Sequence, residues 1–449
     1  MKRLGAGAAP GTRVPPATRN PNPNPNNRRR RPSWRGVGHL APARSHEVEV
    51  DVVLVGSGII SLFIAHDILE KTDLSVAVVE RADGLCAGAT GAGQGYLWQL
   101  HRDPMNADAW SMALQGRARW RELAAADASF TVDQCGSLLL ATTPEEGVEL
   151  EARVAAVNDA LPIEDRATFL PDRESVVKEE PSLSDSVADI FAGAMLPSDG
   201  QIDGQATTRA MFRKCERSPR FQSYFGSTVE HLIVHGGAAK GVVCADPTDR
   251  ANGSKTILAD AVCVCAGAWS STLLSSWLDG DDGDRWRDAI VPRRGHLLKL
   301  EVGQRRGRQR LLNHGIMESS YSKHYISLRD NHCVVNHDAY DVTFTATESD
   351  IDGALLIGSS RELGDFDQTV NSRAVDDIMR AARRYLPSLL DGSEVLLETR
   401  VGLRPFSATG PIVGPVEAVS GLFVAAGHEG SGLTLAPSTA DRIVSSLLR

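Results

Sequence analysis

From Val48 the chain alternates between apolar and polar residues, then becomes wholly apolar: Val48-Glu49-Val50-Asp51 runs into Val52-Val53-Leu54-Val55. A β-branched run of this kind predicts one strand, Val48 to Val55, buried on both faces of a parallel sheet. Gly56-Ser57-Gly58-Ile59-Ile60-Ser61 follows, and then Leu62, Phe63, Ala65, Ile68 and Leu69 recur at helical spacing up to Glu70-Lys71. A short turn leads to a second apolar strand, Ser75-Val76-Ala77-Val78-Val79-Glu80. Further along, strands are expected at 261–265, 295–302, 325–328, 354–358 and 422–426. An amphipathic helix is expected near 375–385, before Pro387, and Trp110 and Trp120 fall in a helical stretch as core residues. Residues 336–352 read as a loop or an insertion.

The strand, Gly-rich turn, helix, strand and terminal acid fall within about 30 residues, which is the fingerprint of a dinucleotide site. Gly56 permits the tight turn. Gly58 lets the backbone approach a pyrophosphate, whose charge meets free amides at the helix N-terminus. Ser61 stands where Gly or Ala is usual and is small enough for close helix–strand contact. Glu80 would accept hydrogen bonds from the ribose hydroxyls, and its charge argues against a 2′-phosphate. This motif alone leaves FAD and NAD both open.

Charge changes the picture at the N-terminus. Residues 1–46 hold ten Lys or Arg, no Asp or Glu, and the repeat Pro21-Asn22-Pro23-Asn24-Pro25-Asn26. Such a segment cannot build a core and is expected to be disordered. Basic, acid-free and without the apolar stretch of a secretory signal, it reads as an organellar transit peptide, plastid ahead of mitochondrion. A basic arm is the alternative. The formal net charge of −9 becomes about −19 once those ten positive charges are set aside. So acidic a body disfavours nucleic acid and anionic lipid as partners. The apolar run at the first strand is too short to span a membrane. Seven scattered cysteines without a C-x-x-C point away from a disulfide scaffold, and no metal site is expected.

Further motifs come in a fixed order. Gly88-Ala89-Thr90-Gly91-Ala92-Gly93-Gln94-Gly95 follows the ribose acid, and Ala261 to Ser270 is an apolar strand ending at Gly267-Ala268-Trp269. Gly402-Leu403-Arg404-Pro405 and Gly410-Pro411-Ile412-Val413-Gly414 lie near the end. Leu422 to Ala426 then leads into Gly427-His428-Glu429-Gly430-Ser431-Gly432-Leu433 and a closing helix. From Val48 to the C-terminus this set resembles the D-amino acid oxidase superfamily of flavoproteins, which includes glycine oxidase, sarcosine oxidase and the D-amino acid dehydrogenases.

The resemblance implies FAD. A flavin takes a hydride at N5 and becomes an anion spread over N1 and the C2 carbonyl. A Gly-rich turn entering a helix, here Gly427 to Leu433, offers bare amides and a positive dipole end to that charge. Cofactor contacts are implied at Gly56, Gly58, Ser61, Glu80, Arg81, Thr90, Gly91, Gly93, Gln94, Gly95, Val229, Ala266, Gly267, Trp269, Gly427, His428, Gly430, Ser431, Gly432 and Leu433. Neither Gly402 nor Gly91–Gly95 supplies a tethering Cys or His, so the FAD is expected to be non-covalent, with His428 and His296 the residues to check. The side chain of Glu429 is expected to point away from an anion-binding turn.

In glycine oxidase-like relatives the arginine of G-L-R-P clamps the substrate carboxylate, and Arg404 matches it. The fork of a guanidinium suits a carboxylate because both bonds form at once. Tyr325 falls where a family aromatic adds a contact. Some relatives carry another arginine where this chain has Gly430, so the clamp is expected to have one cation. His296 and Thr409 stand where glutamine and aspartate are usual.

The expected fold is α/β: a Rossmann-type FAD-binding domain (48–105, 190–285 and 396–449) interleaved with an α+β substrate domain built on an antiparallel sheet (106–189 and 286–395). The function it implies is oxidation of the C–N bond of a small amino acid or secondary amine. Alternatives are a flavoprotein 2-hydroxy-acid dehydrogenase, or a flavin-binding scaffold with little turnover. The partner is a small molecule, and the sequence leaves the oligomeric state open.

Overall fold

In the computed structural model, residues 47–245, 253–303, 310–321 and 340–449 are described. Segment 1–46, read as a transit peptide, and Tyr325 with its strand lie outside them.

At the centre is a six-stranded sheet in the order Ile412–Pro415, Leu422–Ala426, Ala261–Val264, Val52–Val55, Val76–Val79, Phe221–Tyr224. All its pairings are parallel except that of Ile412–Pro415. The continuous apolar runs follow from coverage on both faces. Val52, Leu54, Val76 and Val78 pack under the helices Ile59–Lys71, Gly204–Glu216 and Gly432–Leu447. Val53, Val55, Ala77 and Val79 face a second core shared with Val242 and Ile257 of a four-stranded sheet. Complete burial of a Val or Leu side chain contributes about 1.5–3 kcal/mol, so this doubly covered sheet anchors the site.

One expectation at the start of this sheet needs correction. The run Val48 to Val55 forms two strands. Glu47–Glu49 pairs with Ser254–Leu258 in the four-stranded sheet, whereas Val52–Val55 joins the six-stranded one. The break lies at Asp51, whose carboxylate accepts from the Ser75 amide and hydroxyl, both at 2.6 Å. The polar alternation before Asp51 suits a strand with one wet face. The unbroken apolar run after it suits a buried one.

An eight-stranded sheet takes the order Val395–Phe406, Val291–Glu301, Leu355–Leu363, Tyr340–Glu348, Gly315–Glu318, Ser137–Ala141, Ala192–Leu196, Thr168–Leu170. It is antiparallel apart from the pair Gly315–Glu318 and Ser137–Ala141. Ala192–Leu196 and Val395–Phe406 belong to this sheet, although both fall in stretches assigned from sequence to the FAD-binding part. Eleven register pairs tie Val395–Phe406 to Val291–Glu301, and that pairing decides its place. The stretch 336–352, read as a loop or insertion, contains the strand Tyr340–Glu348. Its alternation of Val342, Phe344 and Ala346 with Thr343, Thr345 and Thr347 is a period-2 signal that threonine disguises as polar. Phe344 stacks on Tyr385 of the helix Ser372–Tyr385, with ring centroids 4.2 Å apart.

The helix Ala107–Ala126 lies against Gly432–Leu447. Trp120 Nε1 donates to the Leu433 carbonyl at 2.8 Å, and the Ser438 hydroxyl donates to the Met112 carbonyl at 2.7 Å. Trp110 and Trp120 are both buried. This contact fixes the start of the closing helix. Among the described residues, no helix is long and apolar enough to cross a membrane.

Candidate active site

A cavity of about 540 Å³ is walled by the ends of the six-stranded sheet and by strands of the eight-stranded one. Gly56 enters it with φ of 108°, and a Cβ there would lie 2.6 Å from the Cys265 carbonyl oxygen. Only glycine fits both the left-handed backbone and that approach. Gly58 caps the helix Ile59–Lys71 without a side-chain hydrogen bond, and Gly58, Ile59 and Ile60 line the cavity. Ile59 N meets Thr90 Oγ1 at 3.3 Å.

Glu80 is held from three sides. Its Oε2 accepts from the Ser57 amide and hydroxyl, both at 2.9 Å, and its Oε1 accepts from the Ala82 amide at 2.9 Å. A carboxylate has about four acceptor positions, so capacity remains for a ribose hydroxyl. The Arg81 guanidinium lies 4.0 Å from the centroid of the Trp269 ring.

Most residues expected from sequence come together here. Gly56, Gly58, Glu80, Arg81, Thr90, Gly93, Gln94, Gly95, Val229, Ala266, Gly267, Trp269, His428, Gly430, Gly432, Leu433 and Arg404 all line the cavity. Ser61, Gly91, Gly427 and Ser431 do not line it. Ser61 is buried in the first helix, and Gly91 packs against Cys86. Gly427 turns the chain with φ of 82°. Ser431 Oγ accepts from Arg102 Nη1 at 3.2 Å.

Arg404 reaches the wall from the strand Val395–Phe406. Its Nη1 donates to the Ser360 carbonyl at 3.1 Å, and among the described residues no carboxylate pairs with it. Gly295, two residues past Arg293, makes room: a Cβ at Gly295 would lie 2.1 Å from Arg404 Nη1. His296 fixes the neighbouring backbone. The Asn371 amide donates to its Nε2 at 3.0 Å, which leaves the proton on Nδ1, 2.8 Å from Ser360 Oγ. Burial, aided by the Arg294 charge, pushes the His296 pKa down.

His428 is buried, with Nε2 2.9 Å from Thr439 Oγ1, and burial pushes its pKa down to about 4. Glu429 follows with φ of 48° and forms an ion pair with Arg293. Its carboxylate is thus turned to a cation, which answers the puzzle of an acid in this turn.

Two aromatic residues went unread in the sequence. Tyr96 and Tyr321 both line the cavity. Burial raises the Tyr96 phenol well above its usual range, with Tyr321 and Arg404 among the charges it feels. Tyr321 carries the Arg361 guanidinium 4.0 Å from its ring centroid. Tyr96 directly follows Gly95, so its place in the Gly-rich stretch was a usable signal. Tyr321 had none.

The groups present fit FAD: a helix start that lines the cavity, an acid in reach of a ribose, a second Gly-rich turn and an arginine with no carboxylate partner among the described residues. Among the described residues no cluster of His, Cys, Asp and Glu could hold a metal.

Comparison with known proteins agrees with this geometry. The family described as FAD dependent oxidoreductase matches residues 51–446. Glycine oxidase of Geobacillus kaustophilus is 25% identical over 401 residues, covering 87% of this chain and 90% of that protein. The structure of glycine oxidase from Bacillus cereus superposes with a TM-score of 0.70 at 22% identity, covering 89% of this chain and 97% of the other. Iminodiacetate oxidase from Chelativorans gives a TM-score of 0.67 at 21% identity, over 88% and 95% of the two chains.

Proposed function

The chain belongs to the DAO family of FAD-dependent oxidoreductases, and from that premise we propose that it oxidises the C–N bond of a small amino acid or secondary amine bearing a carboxylate. The observation that carries this reading is Arg404, a guanidinium on the cavity wall whose one hydrogen bond among the described residues goes to a backbone carbonyl. A cation kept in a half-buried site with no carboxylate partner among the described residues leaves its remaining donors to an anion. A bidentate pair with a carboxylate fixes the orientation of the carbon that reacts.

FAD, when bound, supplies the hydride acceptor. Gly56, Gly58 and the start of the helix Ile59–Lys71 would hold its pyrophosphate, Glu80 its ribose, and the turn His428–Leu433 the end that gains negative charge. Tyr96 and Tyr321 keep water from the clamped substrate. Because the hydrogen leaves carbon with its electron pair, no side chain has to act as a base toward that carbon.

The FAD is read as dissociable. Both ring nitrogens of His296 are engaged, and His428 is turned to Thr439. Acid precipitation should release the yellow colour into the supernatant. The decisive experiment mixes the yellow protein anaerobically with glycine, sarcosine, D-proline, other D-amino acids and 2-hydroxy acids. Bleaching by an amino acid supports the reading, and bleaching by hydroxy acids alone replaces it. The basic segment 1–46 is proposed as an organellar transit peptide, plastid first. A fluorescent protein fused behind it that stays in the cytosol would remove that proposal.

A further inference from the structure

The place of Arg404 is tied to an irregularity in the eight-stranded sheet. Val291–Glu301 and Leu355–Leu363 pair antiparallel, but the register breaks between Arg294↔Glu362 and Leu297↔Gly358, so three steps on one strand face four on the other. An extra residue of this kind bends its strand and leaves ladder groups to other partners. Ser360 lies in the break. Its carbonyl accepts from Arg404 Nη1 at 3.1 Å, and its hydroxyl oxygen accepts from the His296 amide at 2.9 Å.

The side chain of His296 makes a second bond to the same oxygen. Nδ1–H donates to Ser360 Oγ, 2.8 Å away, while Nε2 accepts from the Asn371 amide at 3.0 Å. The Asn371 bond thus selects the tautomer that can donate to Ser360. Asn371 is itself fixed, because it caps the helix Ser372–Tyr385 with its Oδ1 accepting from the Arg373 amide at 3.1 Å. The imidazole is 1% exposed, and that burial favours its neutral form. A line of hydrogen bonds therefore runs from a helix N-cap through His296 to Ser360, and from Ser360 to Arg404.

We infer that His296 is a positioning residue: by fixing Ser360 it sets the carbonyl that orients the Arg404 guanidinium toward the substrate carboxylate. The inference rests on the proposed reading of the cavity as an FAD and carboxylate site, and it deepens that reading. A guanidinium on a flexible stem is only as precise as the groups that hold it. Gly295 leaves the space for Arg404, and Ser360 anchors it.

The test uses the FAD-loaded protein and formate, a carboxylate without an amine, titrated by its perturbation of the flavin absorbance. His296→Leu removes both ring bonds and should weaken formate binding about tenfold, the size of one lost hydrogen bond. FAD content and the ligand-free flavin spectrum should stay as in wild type. His296→Asn places an amide N–H near the site of Nδ1 and should bring the affinity back to within about threefold of wild type. His296→Gln reaches the site of Nε2 instead and should stay close to His296→Leu. In an Arg404→Met background, His296→Leu should change the affinity by less than about twofold, since nothing is left to orient. A full effect of His296→Leu in that background shows direct contact with the ligand and overturns the inference. So does His296→Leu that holds FAD and binds formate like wild type, and so does rescue by His296→Gln without rescue by His296→Asn. Should His296→Leu not fold, Ser360→Ala removes the same bond from its other side and decides by the same comparison with and without Arg404. A wild-type protein that takes up no FAD, or an Arg404→Met variant that binds formate like wild type, refutes the functional reading instead.

Discussion

Arg293 and Arg404 stand opposite each other in register on neighbouring strands, and among the described residues only Arg293 meets a carboxylate. The asymmetry separates structure from chemistry. Arg293 is consumed by Glu429 and the Phe406 ring. Arg404, tied among the described residues only to the Ser360 carbonyl, keeps the rest of its fork for a ligand.

Replacing Arg404 by Met keeps the length of the side chain and removes the charge. A charge-assisted hydrogen bond contributes about 1.5–3 kcal/mol, so KM for a carboxylate substrate should rise roughly 10- to 100-fold. FAD content should stay at the wild-type level, since the expected cofactor contacts lie on other segments. Steady-state kinetics alongside the flavin spectrum checks both halves, and an unchanged KM removes Arg404 from the substrate site.

Gly295→Ala probes the same clamp without touching a charge. The added methyl would sit 2.1 Å from Arg404 Nη1 and 2.5 Å from its Cζ, so the guanidinium must move. Displacement of about 1 Å at a positioning residue can lower rates by about 100-fold. The expected outcome is a raised KM and a lowered kcat in a protein that still folds and still binds FAD. Wild-type kinetics in Gly295→Ala would mean that the position of Arg404 is immaterial.

Gly56→Ala acts at the other end. A methyl there meets the Cys265 carbonyl oxygen at 2.6 Å, and φ of 108° is closed to alanine. The strand–turn–helix junction must therefore deform where the pyrophosphate would lie. The purified variant should be colourless, with FAD affinity lowered at least tenfold in fluorescence titration. Full FAD occupancy would contradict the cofactor reading of this turn.

How far the sequence reaches is decided by the kind of signal each element carries. Gly56 and Glu80 sit in a local motif whose spacing follows from one strand and one helix, Arg404 is implied by the family resemblance of Gly402-Leu403-Arg404-Pro405, and all three line the cavity. The α/β fold was readable for the same reason, because doubly buried strands stay apolar throughout. Tyr340–Glu348 was not, since Thr343, Thr345 and Thr347 look polar in composition while their β-branched shape suits a buried strand. The pairing of Arg293 with Glu429 spans 136 residues and depends on two chain segments meeting in space. No periodicity encodes such a contact. Asp51 shows the intermediate case, a single polar residue whose bond to Ser75 splits one apparent strand into two.

The buried His428 gives the fold a measurable dependence on pH. Burial holds its folded pKa at about 4, against an ordinary value near 6.5 in the unfolded chain. The unfolded state therefore takes up the proton first as pH falls. Stability from the neutral imidazole is fully present above about pH 6.5 and is lost progressively down to about pH 4, at about 1.4 kcal/mol per pH unit, or roughly 3 kcal/mol in all. His428→Gln keeps a group able to bond Thr439 Oγ1 and removes the titration. Urea midpoints measured from pH 7 to pH 4.5 should fall more steeply for wild type than for His428→Gln. The two lines should converge toward the acid end even if the variant starts lower at pH 7. Parallel lines would show that protonation of His428 is not what destabilises the fold in acid, and would move the cause to the other buried groups whose pKa differs between the folded and unfolded states.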